Sequence, residues 1–185
     1  MSQVAPLKDG DPHEVTGTTE HRAQVAVTLC WLIAANKPFY PVYIWWLTGH
    51  GTALACLMLL SMPAFAALPL LARKNSLWAR LGVPVLGIAD TVLARLIFGS
   101  ASGVELFLVP CALLAGLAIK PDEQRTRWSL MAAMALVALV APMAYGKPLG
   151  DWTAAEQAAL YSLNLYSVTG LSAFILWKFC EPVRA

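Results

Sequence analysis

Residues 23–47 read AQVAVTLCWLIAANKPFYPVYIWWL, and this stretch decides the class of fold. It carries a single charge, Lys37, in an otherwise apolar and aromatic run. A helix that crosses a bilayer needs about 20 mostly apolar residues. The run is therefore read as a membrane span. Pro38 and Pro41 lack the N–H that an unbroken helix needs, so the span is expected to kink at its middle. An ammonium group at that depth is costly and marks Asn36 and Lys37 as functional candidates. The plainer reading is that Lys37 snorkels toward the interface.

Five more apolar runs follow outward from the first: about Thr52–Ala72, Leu77–Phe98, Ser102–Ile119, Arg127–Tyr145 and Thr153–Phe179. The whole chain agrees with them. Of its 185 residues 58% are hydrophobic and 13% charged, against roughly 25% charged in soluble domains. Mean hydropathy is +0.61. This excludes a soluble globular domain, a disordered chain and a nucleic-acid binder. The expected fold is all-α: a polytopic, six-helix transmembrane bundle with kinked helices. Residues 1–22 form a polar N-terminal cytoplasmic arm, 23–179 the bundle and 180–185 a cytoplasmic tail. Asp9, Asp11, Glu14 and Glu20 in the arm argue against a signal peptide.

Basic residues orient the bundle. Arg73, Lys74 and Arg80 flank the second loop, Lys120, Arg125 and Arg127 the fourth, and Lys178 and Arg184 the end. The loops 48–51 and 99–101 carry neither Lys nor Arg, and the fifth has Lys147 alone. Both termini are therefore expected in the cytoplasm. Ser102-Gly103-Val104-Glu105 and Thr153-Ala154-Ala155-Glu156 each fit a capping box. Cys30, Cys56, Cys111 and Cys180 form no C-x-x-C pair and read as small hydrophobes.

The remaining intramembrane polar groups are the candidate site. Asp90 and Arg95 share the third span but lie five residues apart, rotated by roughly 140°. They should find partners on other helices: Lys37 for Asp90 and Glu105 for Arg95. Together His50, Asp90, Arg95, Glu105, Tyr161 and Asn164 are expected to line a ligand pocket in the outer half of the bundle. Each has a plainer alternative: a structural salt bridge for Asp90 and Arg95, a cap for Glu105, a solvated loop residue for His50, interhelical hydrogen bonds for Tyr161 and Asn164.

No axial histidine pair for haem, no Cys/His zinc set, no phosphate loop and no hydrolase motif is present. No cofactor, metal or enzymatic activity is expected. A lipid or quinone enzyme using Asp90, His50 and Glu105 lacks a recognised arrangement.

Leu71-Ala72-Arg73-Lys74, Ala79-Arg80, the run from Ser100 through Ser102-Gly103-Val104-Glu105-Leu106-Phe107-Leu108-Val109-Pro110 to Cys111, and the charged turn Lys120 to Arg127 carry a resemblance. They resemble the six-helix membrane domains that precede the catalytic regions of bacterial class III adenylate cyclases and sensor histidine kinases. The resemblance implies a sensor or anchor domain of the bacterial inner membrane, with its sensing face outside. The sequence ends at Ala185, so cyclase or kinase activity is not carried over.

The expected function is a non-enzymatic, sensor-like membrane module. It would bind a small or lipidic ligand and signal through a partner membrane protein or a second copy. The alternative is an accessory subunit of a larger membrane complex. Membrane lipids are the expected surroundings.

Overall fold

The computed structural model describes residues 12–144 and 146–181, with side chains from residue 19 onward except at 141–144. The outer part of the N-terminal arm, with Asp9 and Asp11, and the tail beyond Glu181 lie outside the described residues. Among the described residues every regular element is a helix. They stack as six rods.

The first rod is broken. α1 (Pro12–Asn36) stops at Lys37-Pro38, and α2 (Phe39–Thr48) continues at 47° to it. Pro38 has no N–H for the carbonyl four residues back, which is why the ladder parts here. α1 begins at Pro12, so the expected division between arm and bundle at residue 22 runs through the middle of a helix.

The second rod is continuous but unevenly wound. It consists of α3 (Thr52–Ala55), a 3-10 stretch (Cys56–Ser61) and α4 (Met62–Ala72). Pro63 stands in the first turn of α4. Mid-helix 3-10 winding is unusual beyond a few residues and here falls beside the polar cluster described below.

The third rod is α5 (Ser76–Phe98), capped at its start by the Asn75 side chain, which accepts from the Leu77 N–H. The fourth is the shortest: two 3-10 turns (Ser100–Ser102 and Val104–Phe107) lead into α6 (Leu108–Ala118). A 3-10 turn (Pro121–Glu123) opens the fifth, α7 (Gln124–Ala144). The sixth is α8 (Ala154–Cys180). Its expected capping box is formed: Thr153 Oγ1 accepts from the Glu156 N–H, and Glu156 accepts from the Thr153 N–H at 2.7 Å.

Six spans were expected, and the helices bear out only part of that. Among the described residues three are long and apolar enough to cross a membrane, Thr52–Ala72, Ser76–Phe98 and Ala154–Cys180, and the bent pair makes a fourth. Val104–Ala118 is apolar but short, about 24 Å at helical rises. The capping box expected at Ser102 and Glu105 is absent. Gly103 takes φ 70° as the turn residue instead, Ser102 Oγ donates to the Gly99 carbonyl, and Glu105 is drawn to Arg95.

Charge sorts by end. Arg22, Arg73, Lys74, Arg80, Lys120, Arg125, Arg127 and Lys178 all fall at one end, where Arg22 donates to the Ile119 carbonyl and Arg80 grips Glu123 at 2.5 and 2.8 Å. The guanidinium of Arg80 holds the Glu123 carboxyl below the ordinary range. At the opposite end Trp152 covers the bundle: its indole N–H donates to the Ile97 carbonyl at 2.9 Å, and its ring stacks on His50. Apolar cores lie toward both ends. Leu29, Phe65, Leu68, Val83 and Ile175 form one near the basic end, and Ile44, Met58, Ile97, Phe98 and Leu160 form the other.

Candidate functional site

Between these two cores the packing opens, and the polar residues of the break meet there. Lys37 is 7% exposed. Its Nζ donates to both oxygens of Asp90 at 2.8 and 2.7 Å and to the Met58 carbonyl at 2.9 Å. Ser61 Oγ donates to Asp90 Oδ1 at 2.6 Å. The Phe65 ring lies 5.5 Å from the ammonium. Each rod contributes for a local reason. The first breaks at Pro38 and so places Lys37 at the corner. The second is wound as a 3-10 helix over Cys56–Ser61 and turns Met58 and Ser61 toward that corner. The third passes Asp90 alongside.

Burying two charges is costly unless they are paired and their other hydrogen-bonding capacity is met. This cluster meets most of that demand. The ammonium spends all three of its protons. The pairing of Lys37 with Asp90 is the one expected from the rotation of Asp90 away from Arg95. Arg95 in turn pairs with Glu105.

A cavity of about 460 Å³ runs past the cluster. Asp90, Lys37 and Asn36 line it together with Tyr40, Thr91 and Ser167. The rest of the wall is apolar, from residues such as Ile33, Phe65, Phe107, Leu114 and Phe174. Leu32 and Asn36 on α1 and Ser167 and Gly170 on α8 are exposed. The cavity therefore opens sideways between the first and last helices, at the middle of both rods. Gly170 leaves that mouth clear: a Cβ there would touch nothing within 4 Å.

The six residues expected to share one outer pocket are dispersed. Asp90 alone of them lines the cavity. His50 sits at the outer end, 2.7 Å from Glu156 and 53% exposed in its side chain. Arg95 is buried against the half-buried Glu105. Tyr161 packs over Gly103, whose missing Cβ would stand 2.5 Å from its ring. Asn164 is fully buried, donating to the Ser102 carbonyl at 2.8 Å and accepting from Tyr40 at 3.4 Å. So Tyr161 and Asn164, three residues apart, diverge: one is 43% exposed, the other holds the interior. The intramembrane pair Asn36 and Lys37 is the part of the expected set that joins Asp90 at the cavity.

Sequence reasoning missed Ser61, the Met58 carbonyl and the cavity itself. The signal available for Ser61 was Pro63 two residues on, which has no N–H to offer the carbonyl of the preceding turn. No group of three or more His, Cys, Asp or Glu suited to a metal ion occurs among the described residues.

Comparison with known proteins gives one family. The family model MASE7, a membrane-associated sensory domain, matches residues 13–180. No curated protein and no solved structure matches.

Proposed function

Because the chain belongs to the MASE7 family of membrane-associated sensory domains, we propose that its sensory site is the mid-bundle cavity and that it takes a small lipophilic ligand from the bilayer. One observation carries this reading: a cavity of ligand size opens between α1 and α8 at mid-height and ends on a buried ion pair. Ligand pockets are of this size, mostly apolar, with a few convergent polar groups. An intramembrane ionisable pair facing such a space is the expected mark of function.

The reading has the six rods as six spans, with the short fourth one shielded by α5, α7 and α8. The basic end then faces the cytoplasm, in keeping with the bias of Lys and Arg. The membrane would be a bacterial inner membrane, as the resemblance to cyclase and kinase membrane domains implies. Occupancy would be passed to a partner or second copy through the cytoplasmic ends of α1 and α8, which touch where His21 meets the Lys178 carbonyl at 3.2 Å. Orientation is testable on the exposed Cys180 at the basic end. A membrane-impermeant maleimide should label it in inverted vesicles and not in intact cells; the reverse pattern refutes the orientation.

The cavity itself is tested with a diazirine-bearing alkane added to the protein in lipid nanodiscs. Phe65 and Leu114 are 1% and 3% exposed, so bulk lipid does not reach them. Saturable photolabelling of these two residues, lost in Gly170→Phe, is the expected result. Absence of label at buried positions, or label indifferent to Gly170→Phe, would overturn the reading.

A further inference from the structure

The hydrogen-bonding capacity left over in the cavity is lopsided, and the imbalance selects a ligand class. Lys37 has no proton to spare: its three are held by Asp90 and the Met58 carbonyl. A carboxylate offers about four lone-pair sites. Asp90 has three contacts: Lys37 on each oxygen and Ser61 on Oδ1, so that Oδ2 holds a single partner. The carboxylate is also the open half of the pair, 20% exposed against 8% for the Lys37 side chain.

The hydroxyls nearby repeat the pattern. Thr91 Oγ1 donates to the Gly87 carbonyl at 2.8 Å, Ser167 Oγ to the Leu163 carbonyl at 2.8 Å, and Tyr40 to Asn164. Each has committed its proton and kept its lone pairs. The amide of Asn36 stands out at the exposed mouth. Apart from the weak S–H of Cys111, the inner wall therefore accepts hydrogen bonds and has none to give.

We propose that the cavity binds a neutral lipophilic alcohol or phenol, whose hydroxyl donates to Asp90 Oδ2 while its apolar body lies along Ile33, Phe65 and Phe174. The proposal rests on the cavity being the sensory site, and deepens it. A carboxylate ligand would place its charge beside Asp90 and find no free donor on Lys37. An amine would bring a second cation up to Lys37. An ether, ester or ketone has no proton for Oδ2 and would cover its remaining lone pair without bonding it, at a cost that a donor avoids.

The test uses a matched pair, 4-heptylphenol and 4-heptylanisole, which share a body and differ by the proton. Both compete with the diazirine alkane for Phe65 and Leu114 in nanodiscs, compared at equal mole fraction in the lipid. A hydrogen bond to a charged acceptor is worth roughly a tenfold or greater change in affinity. The phenol is expected to displace the label at about one-tenth or less of the anisole concentration. In Lys37→Met/Asp90→Leu, which replaces the pair by apolar groups, the two should compete alike. Should that variant not fold, infrared spectra of wild-type protein with ¹³C-labelled aspartate replace it: the phenol shifts a carboxylate band and the anisole does not. Equal competition in the wild type overturns the donor assignment while the cavity reading stands. A phenol preference that survives in the double variant, or no band shift, overturns Asp90 as the acceptor. Failure of the alkane to label buried residues overturns the cavity reading itself.

Discussion

Removing one charge at the break should damage the fold far more than removing both. Lys37 and Asp90 are joined by two contacts under 3 Å and supported by Met58 and Ser61. Breaking a buried pair by deleting one partner costs about 3–5 kcal/mol, because it strands the other charge, whereas replacing both by apolar groups is often neutral. The exposures order the single variants. Asp90→Leu leaves an ammonium that is 8% exposed with one carbonyl; Lys37→Met leaves a carboxylate that is 20% exposed and still bonded to Ser61. Asp90→Leu should therefore fall near the upper end of that range and Lys37→Met near the lower. The double variant should lie within about 1 kcal/mol of wild type, a coupling of about 5 kcal/mol or more. Unfolding in mixed micelles, followed by far-UV circular dichroism, closes the cycle. Single costs that simply add in the double variant would refute the claim that the two charges are paired in the membrane.

Three further outcomes follow from other parts of the bundle. Glu123 has its carboxyl held low by Arg80, so its contribution to stability is complete above the ordinary carboxylate pKa and is lost as pH falls through its depressed folded value; the pH dependence of unfolding should flatten in that acid range in Glu123→Gln, and an unchanged profile would remove the Arg80 grip as its source. Gly103→Ala meets both a φ of 70° and a Tyr161 ring atom 2.5 Å from the new Cβ; it should cost about 1–3 kcal/mol in the same unfolding assay, and a neutral result would mean that the turn has another conformation. Trp152→Phe keeps the stacking but loses the bond to the Ile97 carbonyl; a loss of about 1 kcal/mol is expected, and stability equal to wild type would place that carbonyl in water.

Much of this architecture is written locally. The helices Thr52–Ala72 and Ser76–Phe98 coincide with apolar runs to within a residue, since turns such as Arg73-Lys74-Asn75 interrupt them with charge. The break at Lys37-Pro38 is legible only in part: proline removes a donor, yet Pro69 and Pro84 stand inside α4 and α5 without breaking them. That Asp90 and Arg95 need partners elsewhere is legible because the pitch of one helix turns the two apart; Lys37 and Glu105 were candidates, and the packing of the rods makes the pairs. The location of the cavity is another matter. It depends on which rods are neighbours, and nothing local tells α1 to flank α8. Hence six residues placed together in an outer pocket are distributed over the cavity, the outer rim and the interior. Ser61 escaped notice because a lone serine in an apolar helix ordinarily bonds its own backbone; here Oγ stays 3.2 Å from the Met58 carbonyl and also reaches Asp90 at 2.6 Å. Glu105 was open to two readings, and Gly103 decided between them by taking a left-handed conformation where the first helical residue of a capping box would be right-handed.

The contact between His21 and the Lys178 carbonyl has a consequence for anything attached to this bundle. The first and last helices meet at this corner, part-way along α1 and near the end of α8, with the His21 ring edge-on to Phe179. A twist of the last helix must either carry the first with it or break this contact. On the proposed sensory reading, output at this corner would be a paired motion, a two-handed grip rather than a single lever, and a domain joined on either side would receive the same rotation with the opposite chain direction.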